Sequence, residues 1–253
     1  MDNLRTPFQG LVNVISFNRY TYILAIILAA IGFAVGCYSD EWQIYGYIMG
    51  IAAIVPVIAS VVVSHYVYDR SDLYTLNWLE GVEIASTGLI LNFHSGFDET
   101  SGLLRDRFPN ADLKTFDFFD DKKATEASIR RARKARNRDS AVQRVCPSDL
   151  PLDNSCADSI FLIFAAHEIR EHSDRVQFFQ EISRVAKDSA RIVVTEHIRD
   201  LPNTLAYSVG VFHFFSRSAW QRTFHEAGLK LIREIKITPF VTGFVLAKYG
   251  TPA

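Results

Sequence analysis

Residues able to move a proton or hold a ligand fall in five short clusters along this chain: His94-Ser95-Gly96-Phe97-Asp98, Asp117, Cys146 with Asp149, His167-Glu168, and Glu196-His197. An imidazole titrates near neutral pH, so each histidine is a candidate proton acceptor. Imidazoles and carboxylates gathered on one rim also suit a divalent ion. His94, His167, His197 and Glu196 are the candidates for that, but no compact ligand spacing such as HExxH is present. No metal is therefore expected.

The clusters share a position. Gly88–Phe93, Asp112–Phe118, Ser159–Phe164 and Arg191–Thr195 read as short apolar strands, and the chemistry-bearing residues stand at or just after their carboxyl ends. Helical patterns lie between them at 100–107, 124–137, 175–186 and 218–227, and two strands, 229–236 and 240–247, close the chain. Strands alternating with helices specify an α/β fold with a parallel sheet and right-handed crossovers; the closing pair adds an antiparallel hairpin at its edge. In such sheets the ligand lies outside the strands' carboxyl ends, at the point where strand order reverses.

The first quarter of the chain is different. Residues 1–68 carry only Arg5 and Arg19 against Asp2, Asp40 and Glu41. Tyr20–Cys37 is uncharged, and at 1.5 Å per residue it extends roughly 27 Å, enough to cross a hydrocarbon core. Trp42–Tyr68 is a second uncharged run, interrupted by Pro56, which membrane helices tolerate. Aromatic residues cluster near the ends of both runs, and the Ser39–Glu41 linker forces an antiparallel hairpin. Gly32/Gly36 and Gly46/Gly50 have the spacing of closely packed membrane helices. Phe8, Leu11, Val12 and Ile15 give the segment before the first run an apolar face suited to the membrane interface. Arg5, Arg19 and Arg70 flank the hairpin and its loop has no basic residue, which predicts both termini in the cytoplasm. The expected organisation is a membrane anchor over 1–70, with spans at about 20–37 and 42–68, followed by an α/β domain over 71–253. A cleaved signal peptide and a buried soluble hairpin are the competing readings; the length of the second uncharged run opposes both.

Whole-chain composition excludes other classes. With 27 basic and 28 acidic residues the net charge is −1, and no nucleic-acid partner is expected. Three scattered cysteines make no disulfide framework. The basic run Arg130–Arg138 suits anionic headgroups, or is simply a solvated helix face.

Residues 80–250 resemble the class I S-adenosylmethionine-dependent methyltransferases, particularly the branch that methylates quinones and sterols. The resemblance rests on LPLDNSCADSI (150–160), FFQEISRVAKDSARIVVTEH (178–197) and the closing strands, in that order and spacing. It implies a Rossmann-like seven-stranded methyltransferase sheet with a C-terminal antiparallel hairpin, and S-adenosylmethionine as cofactor. It places Asn92, His94, Gly96 and Asp98 in the cofactor loop, Asp117 on the ribose hydroxyls, and Cys146 and Asp149 near the adenine. His167, Glu168 and His197 become candidate catalytic residues, and the aromatic stretch Phe212–Phe215 a substrate lid. The departures are definite. Where the family motif has glycines, this chain has His94 and Asp98, keeping only Gly96, and Lys187–Ala190 replaces a Pro-Gly-Gly turn. The resemblance together with the anchor implies methylation of a lipophilic small molecule, such as a quinone, phenolic pigment or lipid, drawn from the bilayer. Two alternatives stand beside it: a non-catalytic binding or scaffold protein on this fold, and a metal-assisted enzyme. Oligomeric state has no sequence signal.

Overall fold

The computed structural model describes residues 6–119 and 142–249. The helix expected over 124–137 and the basic run 130–138 lie outside the described residues. The chain forms two compact units: Asn3–Ser71 with Asp200–Val211, and Asp72–Arg199 with Phe212–Ala253.

In the first unit, α1 (Gln9–Tyr38) and α2 (Gln43–His65) pack as an antiparallel hairpin. α1 begins well before the uncharged run, so the segment expected to lie in the interface continues the same helix. Its start is stabilised from the other end of the hairpin: the Asp69 carboxylate accepts the backbone N–H groups of Gly10 at 2.7 Å and Leu11 at 2.9 Å. Those are among the orphan donors of a helix N-terminus, where negative charge is favoured. The four glycines form the helix contact. A Cβ on Gly32 would sit 2.5 Å from the Gly50 nitrogen, so no larger residue fits without separating the helices. Outward, Ile44, Ile48, Ile51, Val55, Ile58 and Val62 form an exposed apolar stripe along α2. Two apolar helices here are long enough to cross a membrane. A short helix from the far part of the chain, α5 (Leu201–Tyr207), packs on α2 within this unit. Asp200 caps it, accepting from the Asn203 backbone at 3.1 Å.

The second unit holds a seven-stranded sheet of order β3-β2-β1-β4-β5-β7-β6. Its strands are β1 (Thr87–His94), β2 (Asn110–Asp117), β3 (Gln143–Arg144), β4 (Ala157–Ile163), β5 (Ala186–Glu196), β6 (Leu229–Thr238) and β7 (Val241–Lys248). β7 alone runs opposite to the other six strands. Period-two alternation sorts the strand residues between two apolar layers. Leu91, Phe93, Ile160, Leu162, Ile192 and Val194 join Phe178 and Phe179 of α4 (His172–Val185) and Trp220 and Phe224 of α6 (Arg217–Glu226). Ile90, Phe161, Ile163 and Val193 face the other layer, with Leu104 of α3 (Ser101–Arg107) and the short helical turns carrying Leu76 and Leu79. Both faces are therefore covered, as a parallel sheet requires. The Lys187–Ala190 stretch, where the motif has a Pro-Gly-Gly turn, continues β5 and is absorbed as an irregularity in the β4–β5 register. Lys187 bonds Asp158 at 2.7 Å across it.

Candidate active site

The chain reverses direction across the sheet between β1 and β4, and the expected residues gather around the carboxyl ends of the strands on both sides of that point. β1 ends at His94 and β2 at Asp117, which are partners in the parallel register. Asp117 is buried, and its Oδ1 accepts from the Gly96 N–H at 2.8 Å and the Phe119 N–H at 2.9 Å. One carboxylate oxygen thus draws the loops after β1 and β2 together. Gly96 adopts φ +77°, which explains why this glycine is kept.

The other loop residues hold the loop itself. Asn92 is fully buried and its amide donates to Thr100 Oγ1 at 3.1 Å and Ser101 Oγ at 2.8 Å. Asp98 Oδ1 accepts the N–H groups of Thr100 and Ser101, both at 2.9 Å, at the start of α3. Burial alone would raise the Asp98 carboxyl; the Ser101 and Thr100 bonds and the nearby His94 outweigh it and hold the pKa below the ordinary value. His94 is buried with its Nδ1 4.0 Å from Asp117 Oδ1. Cys146 and Asp149 form a tight turn after β3, closed by a 3.2 Å bond from the Asp149 N–H to the Cys146 carbonyl. The Val145 N–H bonds the Asp117 carbonyl at 3.0 Å, so this turn abuts the end of β2.

On the other side of the reversal, β4 leads through Phe164, held at φ 51°, into a single helical turn, Ala166–Glu168. A left-handed conformation at a non-glycine residue costs roughly 1–2 kcal/mol, and it sharply redirects the chain. It places His167 over the end of β5, where Glu196 Oε1 accepts the His167 N–H at 3.2 Å and Oε2 lies 2.6 Å from His167 Nδ1. His167 Nε2 is 3.4 Å from Glu168 Oε1, and His213 Nε2 is 4.0 Å from the same oxygen. Burial by itself would lower the His167 pKa; the carboxylates of Glu196 and Glu168 outweigh it and raise it well above the ordinary value. Arg170 Nη1 donates to the carbonyls of His213 at 2.6 Å and His167 at 3.2 Å, fastening the two histidine backbones together. Arg175, almost fully buried, bonds the carbonyls of Ile169 and Arg170 and the Thr223 hydroxyl, fixing the same turn to α6. Burial, and then the neighbouring Arg170, push its pKa down to about 10.

His197 stands apart from this cluster. Its ring stacks between Phe164 and Phe214, at centroid distances of 5.1 and 4.8 Å, and Nδ1 bonds the Phe240 carbonyl at 2.8 Å. In the sequence His213 is legible only as part of an aromatic run, and Glu196 only as one of several strand-end groups able to hold a metal. The sequence does not show that either contacts His167.

Strand order, the lone antiparallel β7 and the location of these residues define the class I methyltransferase fold. Residues 121–194 match the family model described as a methyltransferase domain. The PH0226 protein from Pyrococcus horikoshii OT3 superposes with a TM-score of 0.52 at 19% identity, covering 73% of this chain and 91% of its own. The mitomycin 7-O-methyltransferase MmcR also gives 0.52, at 14% identity, covering 97% and 74%. No curated protein matches in a sequence search. The chain therefore has the class I methyltransferase fold, and S-adenosylmethionine is the cofactor that fold implies. The donor set is suited to that group: a strand-end carboxylate for the ribose, a left-handed glycine beside it, and the Cys146–Asp149 turn next to both. His94 is the departure, a buried side chain at a glycine position of the motif.

Proposed function

We propose that this protein is a membrane-anchored methyltransferase that uses S-adenosylmethionine to methylate a lipophilic small molecule, a quinone, phenolic pigment or lipid, on the cytoplasmic side. The observation that carries the reading is Asp117, whose carboxylate links the two loops expected to enclose the ribose. Gly96 and Asp117 hold the methionine and ribose parts, with Cys146 and Asp149 beside the adenine. When bound, the cofactor supplies an electrophilic methyl group for an in-line displacement. Such a reaction depends mainly on alignment, and on removal of a proton where the acceptor carries one. His167 and Glu168 contact the proton-bearing atom of the acceptor; Glu196 and Arg170 position them. His197, in its stack with Phe164 and Phe214, walls the acceptor space with aromatic surface.

Membrane anchoring is supported by the exposed apolar stripe of α2, the glycine contact of the hairpin and the flanking arginines. The lipophilic acceptor is supported by the chain path. After His197 the chain leaves for the hairpin unit, where Leu201 and Leu205 of α5 and Val209 of the turn after it stand exposed, and it returns at Phe212-His213. Exposed large aliphatic residues grouped in this way suit contact with lipid.

A second reading, a cofactor-free binding protein of the same fold, is favoured by His94 filling a glycine position. Calorimetry of the full chain in detergent separates the two. Saturable binding of S-adenosylhomocysteine supports the enzyme; its absence together with no methyl transfer from S-adenosylmethionine to a membrane lipid extract sinks it.

A further inference from the structure

We propose that His167, Glu168 and His213 form a binding site for a divalent first-row transition-metal ion. The three side chains are contributed by the turn after β4 and by the segment that re-enters the unit before α6. One ligand atom from each lies within 4.8 Å of the other two. A metal held at 2.0–2.1 Å in tetrahedral geometry sets its ligand atoms about 3.3 Å apart. His167 Nε2 and Glu168 Oε1 already have that separation, at 3.4 Å; His213 Nε2 is 4.0 Å from the same oxygen, and the three ligand atoms, within 4.8 Å of one another, must draw in by up to about 1.5 Å to close on an ion. Two imidazoles and one carboxylate suit borderline ions such as Zn2+, Co2+ or Fe2+, and leave a coordination position open.

The surroundings are those of a built site. Glu196 holds His167 through Nδ1 at 2.6 Å, which directs Nε2 toward Glu168 and His213. A carboxylate behind a ligating histidine fixes its tautomer and raises its basicity. Arg170 bonds the backbone carbonyls of both histidines, so their separation is set before any ion arrives. The rings of His167 and His213 are 5.0 Å apart and nearly perpendicular, so they do not stack face to face and block the space between them. The two carboxylates, Glu168 and Glu196, offset the positive charge of an ion beside Arg170 and Arg175.

This inference goes beyond the methyltransferase reading and does not depend on it, because a cofactor-free protein of this fold would hold the ion equally well. With the ion bound, His167 and Glu168 reach an acceptor through the metal rather than directly.

The test uses the full chain in detergent, without a histidine tag and stripped with a chelator. Co2+ is titrated while its visible absorption is followed, and bound Zn2+ is measured after dialysis. One equivalent of either ion, with a ligand-field spectrum of nitrogen and oxygen donors, is expected. His167→Ala and His213→Ala should each lower Co2+ affinity by at least a hundredfold, and Glu196→Gln by roughly ten- to a hundredfold. His172→Ala, at a half-buried histidine paired with Glu226 away from the three ligands, should leave it unchanged. Should a variant fold poorly, the parent protein still decides, since Zn2+ must raise its melting temperature if it binds the folded state. Absence of stoichiometric metal and of any Zn2+-dependent shift in the parent overturns the proposal. So does a His167→Ala or His213→Ala variant that binds Co2+ as the parent does. S-adenosylhomocysteine affinity, measured on the same samples, reports separately on the methyltransferase reading.

Discussion

Glu196 grips His167 twice, accepting its backbone N–H with Oε1 at 3.2 Å and meeting its ring Nδ1 with Oε2 at 2.6 Å. The carboxylate stands at the end of β5 and the histidine in the turn after β4, so the pair joins two adjacent strand ends. A ring held at both backbone and Nδ1 has little freedom to flip. Nε2 is thereby presented to Glu168 and His213 in a fixed orientation. A charge-assisted pair of this length, with the carboxylate buried, is stronger than a neutral hydrogen bond.

Asp117 should be the residue most sensitive to cofactor. Asp117→Ala removes the proposed ribose acceptor and strands the Gly96 and Phe119 N–H groups, each worth roughly 1–3 kcal/mol when buried unsatisfied. Both S-adenosylhomocysteine affinity and melting temperature should fall. Asp117→Asn keeps an oxygen for the two N–H groups, so melting should recover while affinity stays at least tenfold reduced. Calorimetry and thermal denaturation on the two variants give the answer; full affinity in the Asn variant moves the ribose contact elsewhere.

His94→Gly restores the family glycine and divides the two functional readings. In an enzyme adapted to the imidazole, removal of a buried side chain beside Asp117 should weaken S-adenosylhomocysteine binding. In a scaffold whose cofactor space is filled by His94, the same change should leave binding absent or create it. Binding that first appears in the glycine variant decides for the scaffold.

Asp98 should contribute stability in a defined pH window. Its folded pKa lies below the ordinary carboxylate value, so its contribution is complete above that value and is lost as pH falls through the folded pKa. Asp98→Ala should cost about 0.5–2 kcal/mol at neutral pH, as loss of a helix-start acceptor does. Asp98→Asn should lessen the acid-side fall in stability. Denaturant titrations at neutral and acid pH measure both effects.

The hairpin makes two further demands. A reporter fused after Ala253 should read as cytoplasmic, as the flanking arginines require; a lumenal or periplasmic signal refutes the topology. Gly32→Leu should separate α1 from α2 and lower the melting temperature in detergent, because the added side chain meets the Gly50 backbone. Leu24→Ala, at an exposed position on the same helix, should change it little.

The periodicity of apolar residues, by itself, determined most of the architecture. Alternating runs ending in polar clusters specify strands of a parallel sheet, and the uncharged stretches specify two long helices whose glycines must face each other. These signals are local, carried by neighbours within one or two turns, and the apolar layers of the sheet enforce them. The strand-end positions of His94, Asp117, His167 and Glu196 were legible for the same reason. Tertiary structure alone decided which of them meet. Sheet order sets β4 beside β5 and so brings Glu196 to His167, while Arg170 and the returning chain bring in His213. Tertiary structure also assigned α5 to the hairpin unit, used Asp69 to cap α1, and committed Asn92 and Asp98 to loop bonds. Apart from the local Asn92 and Asp98 bonds, these contacts join residues tens of positions apart, and their geometry depends on the crossing of loops over a closed core. No spacing in a linear sequence encodes that distance.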